Sequence, residues 1–264
     1  MTSQPRARAT EDVEVSQFIQ AQPETIFRFF TDRERFSRWL SAPVEFEARP
    51  KSPLRIQFAS CQTVVAGEII EIVPNQKLVI SWGVAEGAQA RSMPTGSTRV
   101  TITLTPKADG TLVTLRHTGI PTTDECKGHR EGWTQYLAQL DQQVVGEHDF
   151  AVATALVREY IAAWNEDDSA RCASHLDRCF ATEGRFLDRY AAVASRAALA
   201  QHIAMSRQMF PGVTLAPTTP PQVCHGHVCF GWQFKDANGH VLAAGRNYAE
   251  VERERFSKVV GFYD

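Results

Sequence analysis

The segment CHGHVC, residues 224–229, brings two cysteines and two histidines close enough together to raise the question of a metal site. If it forms one strand, alternate side chains share a face, so His225, His227 and Cys229 point the same way. The histidines then lie roughly 7 Å apart, but Cys229 lies roughly 13 Å from His225 and cannot share its ion. Because a closed zinc site needs four convergent nitrogen or sulfur ligands, we predict a polar strand without metal.

Two other groups of residues are candidates for proton transfer or ligand orientation. His117, His129 and Arg130 lack a carboxylate or thiol partner at a telling spacing, so we interpret them as capping and surface groups. In AAGRNYAEV, Asn247 shares a strand face with Gly245, Ala249 and Val251, and these small or apolar neighbours suit the inner surface of a curved sheet. A buried amide there can orient a ligand carbonyl but cannot abstract a proton at neutral pH.

The elements that position these residues fall into two runs. The first run reads as a strand, two short helices, an antiparallel meander and a long helix from about Asp124 to Val145. The pattern then breaks at GEHD, residues 146–149, where we place a domain boundary. The second run has three helices, the third capped by Ser195, and three long strands of which QVCHGHVCFGWQFKD is the first.

Composition excludes several classes of function. Of the 264 residues 43% are hydrophobic and 22% are charged, and the net charge of −2 offers no basic field for nucleic acid. The first residues carry no secretory signal, and no window is apolar enough to cross a bilayer, so we predict a cytoplasmic protein without a membrane partner. The six cysteines are too scattered for a disulfide scaffold, and no motif calls for a cofactor, so we predict none.

The first half contains a series of segments whose order and spacing are specific. They are AQPETIFRFFTD, RFSRWL, GEIIEIVPNQKLVISW, STRVTITLTPKADGTLVTLRHTGIP and GHREGWTQYLAQL. Over these segments the chain resembles the activator of heat shock protein ATPase-like branch of the START, or SRPBCC, helix-grip family. The resemblance implies an antiparallel sheet around a long C-terminal helix, with a cavity that receives apolar ligands. Trp39, Trp82 and Trp133 are the large residues expected to border it, with plain core packing as the alternative.

The second half carries YIAAWNEDD, RFLDRY, SRAALAQHI, FPG, CFGWQF and AAGRNYAEVERERFSKVVGFYD. These segments resemble the SnoaL-like polyketide cyclase branch of the nuclear-transport-factor-2-like fold, a cystatin-like cone of curved sheet and three helices. The resemblance places Asp188, Tyr190, His202, Trp232 and Asn247 along its pocket. Members often carry Asp where this chain has Asn247, which leaves Asp188 and His202 as the candidate catalytic groups, with a purely structural role as the alternative for each.

We therefore expect an α+β protein with a flexible tail over residues 1–12, a helix-grip domain over 13–146 and a cone domain over 147–264. The predicted function is binding of a small hydrophobic, aromatic, polyketide-like molecule in one or both cavities, with a possible homodimer through the sheet of the C-terminal domain. One alternative is a cofactor-independent cyclase or isomerase acting through the second domain. Another is a co-chaperone that stimulates a heat-shock ATPase.

Overall fold

The computed structural model describes residues 12–264, and all of the predicted tail except Asp12 lies outside this range. The described chain divides into two compact units, one ending at Val145 and the other running from Gly146 to Asp264. Each unit has its own hydrophobic core. Both units combine helices with a sheet, so the predicted α+β class is confirmed.

The first unit is an antiparallel sheet with helices. Its strands are β1 (Val13–Ile19), β2 (Val44–Glu45), β3 (Pro53–Phe58), β4 (Thr63–Val73), β5 (Lys77–Trp82), β6 (Val84–Glu86), β7 (Thr98–Lys107) and β8 (Gly110–Thr118). Helices α1 (Pro23–Thr31) and α2 (Arg33–Leu40) follow β1, and α3 (Thr123–Trp164) follows β8. The sheet order is β1-β8-β7-β5-β4-β3-β2, with β6 beside β4.

Alternating side chains give this sheet one buried face. Val100, Ile102 and Leu104 of β7 are all buried, while the residues between them are exposed or partly exposed. Helix α2 begins where Asp32 accepts a hydrogen bond from the Arg35 amide, at 2.9 Å, as an N-cap does. These local signals account for the meander and the two short helices that the sequence predicts.

Helix α3 is one continuous helix of 42 residues, so the predicted break at residues 146–149 is wrong for the backbone. A single Gly146 costs a helix only about 1 kcal/mol relative to alanine, which a long packed helix tolerates. What changes there is burial, since Val145 and Phe150 are exposed. The apolar pattern therefore lapses while the hydrogen-bonded backbone continues.

The second unit has a seven-stranded sheet. After α4 (Ser169–Cys179) come β9 (Phe180–Leu187), β10 (Ala192–Val193), α5 (Arg196–Met209), β11 (Thr214–Pro217), β12 (Gln222–Cys224), β13 (His227–Lys235), β14 (Val241–Glu252) and β15 (Arg255–Tyr263). The order is β10-β9-β15-β14-β13-β11, with β12 beside β13. Strand β15 pairs with β9 in parallel, and the other pairs are antiparallel. Ser195 caps α5 as predicted, accepting from the Ala198 amide at 3.1 Å.

The CHGHVC segment is a hairpin and not a single strand. His225 and Gly226 both have positive φ, +46° and +78°, which is the signature of a two-residue type I′ turn between β12 and β13. His225 therefore lies in a turn and does not share a strand face with His227. On a single strand Cys224 would share a face with the apolar residues Val228 and Phe230, but it is exposed. Beyond the turn, Val228, Phe230 and Trp232 are buried as the alternation predicts.

Candidate functional site

An apolar cavity of about 480 Å³ lies within the second unit. Its walls come from α5, from the segment after α5 and from β13, β14 and β15. Met205, Met209, Phe210 and Leu242 line it although each is more than half exposed. We call this cavity the outer pocket. Because large apolar side chains in water are unfavourable, a group of them around one concavity is typical of a binding site.

A second, much smaller cavity of about 30 Å³ adjoins the outer pocket, and we call it the inner chamber. Trp164, Asp188, Phe234 and Tyr263 line both cavities, so they form the passage between them. Other residues line the inner chamber only, and these are Tyr160, Phe186, Leu215, Trp232, Asn247 and Gly261. The site is thus an apolar entrance with a confined inner end.

Asp188, just after β9, is held by donors on both carboxylate oxygens. Oδ1 accepts from the backbone amides of Tyr190 and Ala191, at 2.8 and 2.7 Å, in an Asx-type turn. Oδ2 accepts from the Tyr263 hydroxyl at 3.2 Å. Burial, and next the negative charge of Asp188, raise the pKa of Tyr263 well above its usual range. The phenol therefore stays protonated and fixes the orientation of the carboxylate.

Asn247 lies on the inner face of β14, as the alternation predicts, and is 5% exposed. Its Oδ1 accepts from the Trp232 indole N–H at 3.0 Å. Asn247 pairs with Phe230 and Trp232 pairs with Gly245 in the register of the two strands, so this bond runs diagonally between β13 and β14. Two residues that the sequence separates by fifteen positions are therefore one hydrogen-bonded unit at the inner chamber.

His202 and Tyr190 belong to the outer pocket. The His202 ring packs against Trp164 and Phe186, with ring centroids 5.8 and 5.7 Å apart. Tyr190 is 73% exposed and meets the Tyr263 ring edge-on at 5.4 Å, so it stands at the entrance. The five residues predicted for this pocket therefore surround two adjoining cavities, with His202 and Tyr190 in the outer one, Trp232 and Asn247 in the inner one, and Asp188 between them.

Trp164 is a site residue that sequence reasoning missed. It ends α3, is only 7% exposed, and its ring lines both cavities. Its position in the run of apolar residues at helical spacing makes it look like any other core residue of that helix. Only the tertiary arrangement shows that one edge of its ring faces a cavity.

The three tryptophans predicted to border a cavity in the first unit are packed in its core. Trp39 is fully buried, stacks on Phe36 at 5.5 Å and donates to the Phe29 carbonyl at 3.1 Å. Trp82 and Trp133 contact each other, with ring centroids 5.0 Å apart. The core-packing alternative describes these contacts, and a ligand-binding role for the three residues stays a prediction.

His117 is buried in that core, so its interpretation as a surface or capping group is wrong. The Trp133 indole N–H donates to its Nδ1 at 3.2 Å, which leaves Nε2–H to donate to the Thr98 hydroxyl at 2.7 Å. Thr98 in turn donates to the Trp82 carbonyl at 2.8 Å. Burial, and then the neighbouring His129, lower the pKa of His117 to about 3. The ring is therefore a neutral connector between the sheet and α3.

A polar groove of about 410 Å³ lies elsewhere on the first unit, lined among others by Glu68, Ser81, Thr98 and Arg99. None of the predicted tryptophans lines it. Among residues 12–264 no three histidine, cysteine, aspartate or glutamate side chains are grouped so that they could hold a metal ion. Within the same residues, no helix is long and apolar enough to cross a membrane.

Comparisons with known proteins bear on each half. A protein of the SnoaL-like family from Agrobacterium tumefaciens, described as an isomerase, is 27% identical, with a TM-score of 0.42 over 43% of this chain and 98% of that one. The Aha1 dimer protein from Colwellia psychrerythraea is 19% identical, with a TM-score of 0.43 over 51% and 96%. Protein MLL2253 from Mesorhizobium loti is 25% identical, with a TM-score of 0.46 over 51% and 96%.

A search of curated proteins found no match. A family model does match the first half, and its match runs from residue 20 to residue 144. It begins at the end of β1 and stops just before the point at which the two units divide. Over these residues the chain matches the family described as Activator of Hsp90 ATPase homolog 1-like protein.

Proposed function

We propose that the second unit binds a small hydrophobic, aromatic molecule in the outer pocket. The observation that carries the proposal is the apolar cavity of about 480 Å³ whose rim exposes Met205, Met209 and Phe210. A volume of this size falls within the range of small-molecule sites, roughly 300–1,000 Å³. Flexible methionines and aromatic rings favour a flat apolar ligand, since both contact such surfaces well.

Polar groups are a minority in the lining of the pocket, and two of them lie at its inner end. Asp188 and Tyr263 stand where the outer pocket meets the inner chamber. Arg207 lines the outer pocket, but its guanidinium is paired with Asp167 at 2.7 Å. The pocket thus offers a ligand a mainly apolar site, with a carboxylate and a phenol where it meets the inner chamber, which suits an aromatic molecule with a polar substituent.

Binding is tested with N-phenyl-1-naphthylamine, an uncharged aromatic probe whose fluorescence rises in apolar surroundings. Met209→Glu places a charge on the pocket rim at a side chain that is 69% exposed, so the fold should tolerate it. We expect the affinity for the probe to fall about fivefold to tenfold, because the apolar contact is replaced by a hydrated carboxylate.

The matched control is Gln208→Glu, which adds the same charge at the adjacent exposed residue, outside the pocket lining. It should leave the affinity nearly unchanged. Equal affinities for both variants and the unmodified protein would show that the probe binds elsewhere. Native mass spectrometry of protein from its own host would then identify the natural ligand as a co-purifying mass.

A second candidate function is a cofactor-independent isomerase or cyclase, favoured by the presence of Asp188 and His202 around one pocket. Both oxygens of Asp188 already accept hydrogen bonds, which fits a holding role better than proton abstraction. Incubation with aromatic ketones in deuterated water, followed by NMR, distinguishes an enzyme from a binding protein. Exchange at an acidic C–H that is abolished by Asp188→Asn or His202→Ala would favour the enzyme.

A third candidate rests on the first unit, whose residues 20–144 match a family named for activation of the Hsp90 ATPase. The experiment is an ATPase assay of Hsp90 with and without this protein. Stimulation that survives Met209→Glu would assign that activity to the first unit and separate it from the pocket. Homodimerisation through the sheet of the second unit stays a prediction.

A further inference from the structure

The five tryptophans each carry one indole N–H donor. Three of them have acceptors, namely those of Trp39, Trp133 and Trp232. The indole nitrogens of Trp82 and Trp164 are buried and have no hydrogen-bond partner in the part of the chain that the structure describes. An unpaired buried donor is costly, so each such group calls for an explanation.

The two unpaired indoles differ in their surroundings. Trp82 lies in the packed core of the first unit and lines neither cavity of the second. Trp164 lines the inner chamber and the outer pocket. Its N–H acts on the Tyr160 hydroxyl as a hydrogen-bond donor that opposes the rise in the pKa of that phenol, but the contact does not reach the distance and angle of a formed hydrogen bond. A ligand atom in the chamber is a natural acceptor for the Trp164 donor.

Asn247 supplies a second donor to the same chamber. An indole nitrogen can only donate, so the atom of Asn247 that meets Trp232 must be the amide oxygen. The amide Nδ2 is then the donor of this side chain that Trp232 does not engage, and Asn247 lines the inner chamber. Two N–H donors, from Trp164 and Asn247, therefore belong to one small space.

The size and charge of the chamber restrict what can accept from these donors. A cavity of about 30 Å³ has room for about one or two non-hydrogen atoms. Asp188 lines it, and no basic side chain does. A carboxylate entering the chamber would meet the Asp188 charge without compensation, whereas a neutral oxygen would not.

We propose that the inner chamber is a specificity site for an uncharged carbonyl oxygen, bound by the Trp164 indole N–H and the Asn247 amide, on an aromatic ligand whose body occupies the outer pocket. This rests on the function proposed above and names its ligand class as neutral aromatic ketones and quinones. Trp164 and Asn247 act here as specificity-determining residues and take no part in a chemical step.

The test compares three ligands of one shape, 1-tetralone, tetralin and 1,2,3,4-tetrahydro-1-naphthoate, by ligand-observed NMR titration. We expect the ketone to bind about tenfold more tightly than the hydrocarbon, as one or two added hydrogen bonds would give, and the carboxylate to bind most weakly. Trp164→Phe removes the N–H and leaves a smaller aromatic ring in its place. Asn247→Asp keeps the acceptor for Trp232 and removes the second donor. Each variant should reduce the ketone preference to about twofold.

Trp82→Phe is the matched control, because it removes the other unpaired indole and should leave the preference intact. The carbonyl site would be overturned if the unmodified protein bound ketone and hydrocarbon equally, or if both variants kept the preference for the ketone. Either result would leave the proposal of ligand binding in the outer pocket unaffected. Failure of all three ligands to bind would overturn both proposals. If Trp164→Phe does not fold, Asn247→Asp and the ligand series still decide the question.

Discussion

At the scale of single residues, burial separates groups that look equally reactive in the sequence. His117 and His202 each stand among aromatic rings, but His117 is fully buried and bonded on both ring nitrogens, whereas His202 is half-buried beside a cavity. The first histidine holds a core together and the second is available to a ligand. Their neighbours in the sequence do not distinguish these two situations.

His117 should make the stability of the first unit depend on pH. Its pKa is about 3 in the folded protein, below the ordinary value of 6.5, so the unfolded chain takes up a proton first as the pH falls. The contribution to stability is complete above pH 6.5 and is lost progressively towards pH 3. We expect the free energy of unfolding to fall by about 1.4 kcal/mol per pH unit below 6.5 from this residue.

Urea denaturation of the first unit at pH 7.5 and pH 5.5 measures the effect. The variant His117→Gln cannot titrate, so it should be less stable at pH 7.5 and show a shallower loss on acidification. His148→Gln, at an exposed histidine, should keep the full dependence of the original protein. A wild-type stability that is flat between these pH values would contradict the prediction.

Several site residues could be predicted from the sequence, and others could not. The sequence predicts that Asn247 lies on the inner face of its strand because the small residues two positions away share its face, and β14 has that face buried. The bond between Asn247 and Trp232 depends on the register of β13 against β14, which alternation alone does not give. Trp164 was missed because its helical spacing fits a core residue, and a cavity edge is a property of the assembled unit.

At the scale of elements, local signals predicted most strands and helices and failed at two junctions. The sequence predicts a strand at His225 and Gly226 because only Gly226 is a usual turn residue, and residues other than glycine adopt positive φ in a small minority of cases. The break in α3 was predicted because an apolar stripe lapsed. A lapse in burial and an end of helix give the same sequence pattern.

The continuity of α3 leads to a prediction at Gly146. A methyl group added there meets no atom within 4 Å, so Gly146→Ala adds no clash and restricts the unfolded chain. We expect it to raise the free energy of unfolding by about 0.5–1 kcal/mol, whereas Gly146→Pro should lower it by about 3 kcal/mol. Gly132→Ala, in the same helix and equally unobstructed, is the control and should resemble Gly146→Ala. Destabilisation by Gly146→Ala in a urea titration would indicate that the helix ends near this residue.

At the scale of the whole molecule, each of the two units has its own hydrophobic core. The first half of α3 places Trp133, Leu137 and Leu140 in one core, and its second half places Leu156, Tyr160 and Trp164 in the other. Each core is complete within its own unit. Helix α3 therefore contributes residues to both units, and each of its buried residues belongs to the core of one unit.

We propose on this basis that the units fold independently. Fragments 12–146 and 147–264 should each give a cooperative urea transition and a native-like circular dichroism spectrum, because neither loses core residues to the cut. The second fragment should also bind N-phenyl-1-naphthylamine as the full chain does. A fragment that lacks a cooperative transition would show that the domain boundary is misplaced.

The parallel pairing of β15 with β9 has a consequence for synthesis on the ribosome. The strands of the first unit are all translated before those of the second, so its sheet can close while later residues are still being added. In the second unit β9 must wait for β15, and Tyr263, which fixes Asp188, comes at the end of that strand. The outer pocket is therefore completed after the other parts of its unit, and a nascent chain stalled before β15 would expose the apolar walls of this pocket to chaperones.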